Sequence, residues 1–355
     1  MTIDLQQITD LGLRGDMVPR ELSQALLEDE GPDVLPMAQA AGQVRMATFG
    51  RKVKLHQINN IQNGLCPEDC GYCGQSKISD APLNKYPIKS EDEIVEEAHA
   101  AKARGAYRYC MVASGRGPTD NRIDQLAHTV KRINQEVGIR TCLSVGIVSK
   151  KHAQVLRDAG LDRLNHNLNT SANHTPNIVT THTYDDRIQT LRDAKSCGLE
   201  ICSGIITGMG ESNQDILDVA YELRDLDARS IPINFLIPIP GNPLYDFNQL
   251  SPIRCLKILC VFRFINPTAE IRIGGGREGH LRSLQALALY PANSLFIEGY
   301  LVTRGDKVDK TIQMITDAGF EIDGDIDVDA DISSAEKYQI DQDPNILNPK
   351  TTVTG

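Results

Sequence analysis

The sequence contains no tryptophan, and aromatic residues make up only 5% of its 355 residues. It also lacks any run of about 18 apolar residues, the length that a membrane-crossing helix needs. The first residues, MTIDLQQITD, show neither the basic start nor the apolar core of a secretion signal, so we expect a cytoplasmic protein. The net charge of −10 disfavours contact with phosphate backbones. We therefore expect no membrane and no nucleic acid partner.

Cysteine is the unusual feature of the composition. There are nine, an odd number, and without an export signal a disulfide framework is not expected. Free cysteines in a reducing compartment are either buried packing residues or metal ligands. The positions of the nine cysteines must therefore be considered separately.

From about residue 53, short apolar strands alternate with amphipathic helices. We predict strands at 53–61, 107–113, 140–146, 162–168, 200–206, 231–237, 270–274 and 294–298. Predicted helices include 90–104, 122–136, 151–159 and 184–197. Gly160 and Gly198 suit the C-caps of the last two helices.

Eight strands alternating with helices favour a (β/α)8 TIM-type barrel, an α/β fold. A doubly wound sheet is the alternative, but it usually has fewer strands and a phosphate-binding glycine turn after the first strand. We expect an N-terminal helical extension at 1–48 and the barrel at 49–320. Residues 321–355 carry nine acidic and two basic residues, so we expect a poorly ordered acidic tail.

A loop with three cysteines follows the first predicted strand. It reads CPEDCGYCGQS at residues 66–76, which places Cys66, Cys70 and Cys73 in a C-x3-C-x2-C spacing. Three thiolates can hold a [4Fe–4S] cluster and leave one iron free for another ligand. A structural zinc site is the alternative, but zinc prefers four ligands, and the loop contains no fourth cysteine or histidine.

A second set of residues lies within separate predicted strands: Cys110, Cys142, Cys202 and Arg272. If all four side chains point inward, they meet inside the barrel and could hold a soft metal. A buried cysteine is more often a small packing residue, and a guanidinium is not an ordinary metal ligand. The residues alone leave this question open. Cys197, Cys255 and Cys260 show no pattern that indicates a function.

Polar residues cluster where several strands end, a position that suits a ligand pocket. LNHNLNTS at 164–171 ends the fourth strand, and Asn234 ends the sixth. Turn-forming and helix-capping roles are the alternatives for these residues, and Arg187 could equally form a surface ion pair with a nearby aspartate. The eight histidines form no metal-spaced pair on a predicted helix, so we assign them ordinary roles.

The cysteine loop, with an aromatic residue before its third cysteine, resembles the radical S-adenosylmethionine (SAM) superfamily. The context CPEDCGYCGQS is similar to that of the biotin synthase family in particular, and the resemblance covers about residues 45–320. It implies a [4Fe–4S] cluster on the loop cysteines that cleaves SAM to a 5′-deoxyadenosyl radical. The segments MVASG (111–115) and GIITGMGE (204–211) resemble SAM-binding segments. The SAM-binding residues thereby implied are Tyr72, Ser114, Gly115, Asn167, Asn169, Arg187 and Gly208.

The resemblance also implies that Cys110, Cys142, Cys202 and Arg272 hold an auxiliary [2Fe–2S] cluster, the source of the inserted sulfur. The substrate-binding residues that it implies are Asn167, Asn234, Thr303 and Arg304. Many family members carry aspartate at the position of Asn169, which makes this contact less well defined.

The implied reaction converts dethiobiotin to biotin, the last step of biotin biosynthesis, and consumes two SAM molecules. No catalytic residue beyond the cluster ligands is needed, since acid–base chemistry does not open saturated C–H bonds. A flavodoxin-type electron donor and a homodimer are implied as well. Two alternatives remain: a related radical SAM enzyme that performs a rearrangement or cofactor maturation, and a non-enzymatic iron–sulfur sensor or zinc module.

Overall fold

The computed structural model describes residues 3–28, 30–247 and 250–324 of the chain. Within them lie ten strands, and all pairings between strands are parallel. The strands are β1 (Lys52–Gln62), β2 (Arg108–Ala113), β3 (Arg140–Ser144), β4 (Arg163–Asn165), β5 (Glu200–Cys202), β6 (Ile205–Thr207), β7 (Ser230–Phe235), β8 (Glu270–Ile273), β9 (Ser294–Ile297) and β10 (Glu321–Ile322).

The sheet closes into a barrel. Strands β1 to β5 follow one another, β7, β8 and β9 continue the order, and β9 pairs with β1. Strands β5 and β6 occupy one position in the wall, because both pair with β7. The barrel therefore has eight positions, which confirms the (β/α)8 prediction over the doubly wound alternative.

The predicted fifth strand, 200–206, is divided into β5 and β6 at Ser203 and Gly204. A Cβ atom on Gly204 would lie 1.8 Å from the carbonyl oxygen of Pro232, an overlap that any other residue would create. The close approach of the two backbones thus requires glycine at this position.

Twelve α-helices lie in the described residues: α1 (Leu5–Arg14), α2 (Arg20–Leu27), α3 (Val34–Phe49), α4 (Glu91–Ala103), α5 (Asp120–Arg132), α6 (Lys150–Asp158), α7 (Thr175–Ile178), α8 (Tyr184–Ser196), α9 (Asn213–Asp225), α10 (Pro252–Ile265), α11 (Arg277–Leu281) and α12 (Val308–Asp317). A π-helical turn extends α5, and a 3₁₀ segment follows α11. After α6 and α8, Gly160 and Gly198 have φ of 88° and 81°, which confirms their predicted roles as helix terminators.

The N-terminal helices pack on the barrel through α10. Helices α1, α2 and α3 all contact α10, so α10 is covered on both sides and every residue from Cys255 to Ile265 is buried. Cys255 and Cys260 are fully buried within it, a position that fits packing residues.

At the other end of the described chain, β10 pairs with β1 at Lys52 and Val53. Ordered structure therefore extends past the expected boundary at residue 320. Most of the expected acidic tail, residues 325–355, lies outside the described residues. Among the described residues, no helix is long and apolar enough to span a bilayer.

Candidate active site

The carboxyl ends of the barrel strands surround a cavity of about 370 Å³. Its wall includes both groups of thiols, which we call the loop cysteines (Cys66, Cys70 and Cys73) and the barrel cysteines (Cys110, Cys142 and Cys202). Arg272 also lines it, as do Tyr72, Ser114, Gly115, Asn167, Asn169, Arg187, Asn234 and Thr303. Gly208 and Arg304 are not among the lining residues. The fold thus brings nearly all of the expected site residues to one cavity.

The loop that carries the loop cysteines is held by backbone hydrogen bonds. The amide of Cys73 donates to the carbonyl oxygen of Cys70, and that of Ser76 to Cys73, each at 3.1 Å. Burial raises the pKa of the Cys73 thiol to about 12 and also raises the pKa of Cys70. Iron binds thiolates, so iron binding at these residues must release protons.

The residues around the loop cysteines fit a [4Fe–4S] cluster with bound SAM. Three thiols are the soft ligands that iron–sulfur clusters use, and the loop supplies no fourth ligand of this kind. Beside them, Ser114, Asn167 and Arg187 offer a hydroxyl, an amide and a guanidinium to the cavity. Such groups suit the carboxylate and amino groups of an amino acid.

Tyr72 is joined to the end of β4 by a hydrogen bond. The side-chain amide of Asn169 donates to the Tyr72 hydroxyl at 2.5 Å. Asn169 itself has φ of 67°, in the left-handed region, where asparagine is one of the few non-glycine residues that occur readily. The local backbone therefore accounts for asparagine at this position.

The barrel cysteines come together because their strands are in register. Cys110 pairs with Cys142 across β2 and β3, and Cys202 pairs with Asn165 across β4 and β5. The neighbouring thiol of Cys110 contributes most to raising the pKa of Cys142 to about 12. The Nη1 of Arg272 lies 3.8 Å from the Sγ of Cys202. The three inward-facing thiols and the guanidinium predicted from strand alternation thus converge.

This arrangement fits a small iron–sulfur cluster. All three barrel cysteines and Arg272 are buried, and Phe296 packs against the thiols. The Nε of Arg272 has no hydrogen-bond partner among the described residues. In the part of the chain that the structure describes, no three Cys, His, Asp or Glu side chains close around a single-ion position. The thiols line the wall of the cavity, and thiolates are the ligands that a cluster of several irons takes.

Behind the barrel cysteines lies a buried carboxylate, Glu270. It accepts hydrogen bonds from Arg272 and from Ser230, the latter at 3.0 Å, and forms an ion pair with Arg163 at 3.4 Å. The Nε2 of His56 lies 3.1 Å from the same oxygen. His56 and the two guanidinium groups hold the pKa of Glu270 well below its usual range despite burial. The carboxylate thus neutralises charge that the barrel interior would otherwise leave unpaired.

Arg187 reaches the cavity from α8. Its Nη1 donates to the carbonyl oxygen of Asn167 at 2.7 Å, and its Nη2 lies 2.5 Å from the Nε2 of His182. His182 in turn bonds to Glu68 of the cysteine loop. Arg187 is therefore not in the surface ion pair considered from the sequence, and its two Nη atoms are held by the protein.

Two of the expected substrate-binding residues, Asn234 and Thr303, also lie in the wall of the cavity. The side chain of Asn234 donates to the carbonyl oxygen of Ile205 at 3.1 Å and accepts from the amide of Gly275 at 2.8 Å. Thr303 is buried, whereas the neighbouring Arg304 is exposed. The amide of Asn234 is thus fixed by backbone groups at the cavity wall.

The sequence interpretation missed several cavity residues: Glu68, Arg116, His166, His182, Phe296 and Tyr300. The Nε2 of His166 is buried without a partner among the described residues, and burial lowers the pKa of His166 well below its usual value. Tyr300 donates to Glu278 at 2.9 Å. His166 lies inside a polar run already singled out, which was the available signal; His182 shows no local signal.

Gly208 is placed differently from the expectation. Its amide donates to the carboxylate of Glu211 at 2.7 Å, and both residues line a second cavity near Arg254. The turn that follows β6 is therefore closed by its own glutamate.

Residues 61–223 match the Radical SAM superfamily, and residues 232–321 match the Biotin and Thiamin Synthesis associated domain. Biotin synthase of Acaryochloris marina is 65% identical over 336 residues, which cover 95% of this chain and 97% of that protein. Biotin synthase of Magnetococcus marinus is 49% identical, over 89% of this chain and 98% of that protein.

Solved structures agree on the fold. Methylornithine synthase has a TM-score of 0.76 at 20% identity and covers 89% of this chain and 97% of its own. The FeFe-hydrogenase maturase of Carboxydothermus hydrogenoformans has a TM-score of 0.77 at 18% identity, over 90% of this chain and 79% of its own. At these identities the likeness concerns the barrel alone. The extent and identity of the sequence matches, together with the two cysteine groups around one cavity, show that the chain belongs to the biotin synthase family within the radical SAM superfamily.

Proposed function

We propose that this chain inserts sulfur into dethiobiotin to form biotin, with SAM cleaved at a [4Fe–4S] cluster on the loop cysteines. One observation carries the proposal: the loop cysteines, the barrel cysteines and Arg272 line the same cavity. A substrate between the two groups lies beside the source of the radical and beside the source of sulfur. Such proximity is what a reaction at two unactivated carbons requires.

The bound cluster and SAM supply a radical that removes hydrogen from an unactivated C–H bond. The residues of the chain hold and shield the reactants. We assign the SAM carboxylate to Arg187 and the rest of the SAM-binding wall to Tyr72, Ser114, Gly115, Asn167 and Asn169, because all of them line the cavity. Phe296, Ile58 and Tyr300 pack around the barrel cysteines and exclude water from them.

We assign the auxiliary [2Fe–2S] cluster, and with it the inserted sulfur, to the barrel cysteines and Arg272. Their burial and the strand register that brings them together support this assignment. Asn234 and Thr303 are assigned to substrate, because both lie in the wall of the cavity. For Arg304, which is exposed, and Gly208, which lines another cavity, the geometry lends no such support.

Electrons must reach the loop cysteines from outside, and a flavodoxin-type protein is the proposed donor. Leu65, beside Cys66, is 67% exposed, so the loop is approachable from solvent. We propose a homodimer in the cytoplasm, where free thiols remain reduced, and all nine cysteines are free. We propose that chemistry is confined to the barrel that begins at residue 49, with 1–48 as a structural extension. Because β10 at Glu321–Ile322 pairs with β1, the proposed acidic tail begins after residue 322 rather than at 321.

Anaerobic reconstitution with iron and sulfide, followed by iron counting and Mössbauer spectroscopy, tests the proposal. Wild type is expected to bind about six irons, and Cys142→Ala about four, with selective loss of the [2Fe–2S] signal. Cys142→Ala should still cleave SAM but form no biotin. Cys255→Ala is the matched control, since it removes a buried thiol remote from the cavity.

About four irons in wild type, unchanged in Cys142→Ala, would contradict the proposal. That result would leave a radical SAM enzyme without a second cluster and would favour the rearrangement alternative.

A further inference from the structure

Along one side, the cysteine loop (residues 66–76) forms hydrogen bonds with residues 178–182, which we call the clamp segment. The amide of Gly71 donates to the carbonyl oxygen of Ile178 at 2.9 Å. The amides of Thr180 and Thr181 donate to the carboxylate of Asp69 at 2.9 and 3.1 Å. These bonds span the interval between Cys66 and Cys73, so the position of the loop depends on a segment more than 100 residues away in sequence.

The clamp segment also connects the cysteine loop to Arg187 through two side chains. The Nδ1 of His182 bonds to the carboxylate of Glu68, and the Nε2 of His182 lies 2.5 Å from the Nη2 of Arg187. A carboxylate can only accept and a guanidinium can only donate. His182 must therefore carry its proton on Nδ1, donate to Glu68 and accept from Arg187.

The three members of this chain are buried: Glu68 is 6% exposed, Arg187 7% and His182 8%. Glu68 is held from two more directions, by the hydroxyl of Thr181 at 2.6 Å and by Arg116 at 3.2 Å. Arg187 donates through Nη1 to the carbonyl oxygen of Asn167, and the imidazole of His182 holds Nη2, so both Nη atoms of Arg187 are fixed. The remaining N–H groups of Arg187 are thereby directed by the protein before any ligand arrives.

We propose that His182 and Glu68 are positioning residues that couple the cysteine loop to the arginine that binds the SAM carboxylate. The inference rests on the proposed function and deepens it. The imidazole of His182 lies between the Glu68 carboxylate and the Arg187 guanidinium and keeps them apart. Without it, the Nη2 of Arg187 loses its acceptor, and the Glu68 carboxylate is the group toward which the buried cation can move. Arg187 would then turn away from the cavity and SAM would bind less tightly, although the loop cysteines would be intact.

SAM affinity, measured separately from turnover, tests the coupling. Each reconstituted variant is reduced anaerobically and titrated with SAM, and the change in the EPR signal of the reduced [4Fe–4S] cluster reports binding. For His182→Ala we expect wild-type iron content and SAM affinity about tenfold weaker, the size of one charge-assisted hydrogen bond. His182→Gln keeps both a donor and an acceptor, and it should recover affinity to within about threefold of wild type.

Two further variants separate positioning from general structural damage. His152→Ala removes a partly buried histidine that pairs with Asp120 and does not line the cavity, so it should leave SAM affinity unchanged. For Glu68→Ala we expect faster amide hydrogen exchange across residues 66–76 of the iron-free protein, since the loop loses the bonds of Glu68 to Thr181 and His182. The urea midpoint of each variant shows that it folds.

Wild-type affinity in His182→Ala would overturn the proposal, as would a folded His182→Gln that binds SAM no better than His182→Ala. Neither outcome depends on dethiobiotin. If wild type itself forms the loop cluster but gives no SAM-dependent EPR change, the proposed function fails together with the coupling. If only the variants behave unlike the expectation, the coupling fails alone.

Discussion

Replacing Glu270 tests whether its carboxylate neutralises the arginines buried inside the barrel. Its carboxylate is 3% exposed and is the shared partner of Arg272, Arg163 and His56. Changing Glu270 to Gln keeps the shape of the side chain but removes the negative charge. Two buried guanidinium groups then lose their common counter-ion.

The expected cost follows from burial. Removing one partner of a buried ion pair destabilises a protein by about 3–5 kcal/mol, because the other charge remains without compensation. Glu200 provides a matched comparison, since it pairs with the same Arg163 at 2.8 Å but its side chain is 49% exposed. Water already screens that carboxylate, so Glu200→Gln should cost less than about 1 kcal/mol.

Urea titration of the iron-free proteins at neutral pH measures both free energies of unfolding, with the slopes compared to confirm that the same surface unfolds. A second measurement is the [2Fe–2S] content after reconstitution, which we expect to fall in Glu270→Gln and to stay unchanged in Glu200→Gln. If Glu270→Gln costs no more than Glu200→Gln, the carboxylate does not neutralise the barrel interior and this reasoning is refuted.

Three more predictions concern the backbone, the SAM wall and the clusters. Gly204→Ala places a Cβ atom against the carbonyl oxygen of Pro232 and should destabilise the protein by about 3 kcal/mol in a urea titration; a cost below about 1 kcal/mol would contradict the close approach. Asn169→Ala should cost about 1–2 kcal/mol, since alanine resists the left-handed backbone and loses the bond to Tyr72, whereas Asn169→Asp should cost less. Removing iron with an anaerobic chelator should leave the far-UV circular dichroism unchanged, because the main apolar core contains neither the loop cysteines nor the barrel cysteines; a loss of helical signal would argue that the clusters support the fold.

Much of the fold could be predicted because its signals are local. Alternating short strands and amphipathic helices identified all eight positions of the barrel, and the glycines after α6 and α8 marked helix ends. The division between β5 and β6 was missed, since it depends on the approach of Pro232 from another strand.

The cluster ligands also divide into those with a local sequence signal and those whose arrangement depends on tertiary structure. The loop cysteines lie within eight consecutive residues, so their spacing is visible in the sequence. For the barrel cysteines, alternation along a strand allowed an inward direction but fixed neither that direction nor the neighbours. Their convergence depends on the register of β2 with β3 and of β4 with β5.

The sequence by itself determined the barrel, the loop cysteines and the family. Tertiary structure alone decided that both thiol groups line one cavity and that Arg304 and Gly208 lie outside its wall. It also brought His182 within hydrogen-bonding distance of Glu68, 114 residues away in sequence, and of Arg187. The physical reason is that hydrogen bonds act over about 3 Å in space, whatever the separation along the chain.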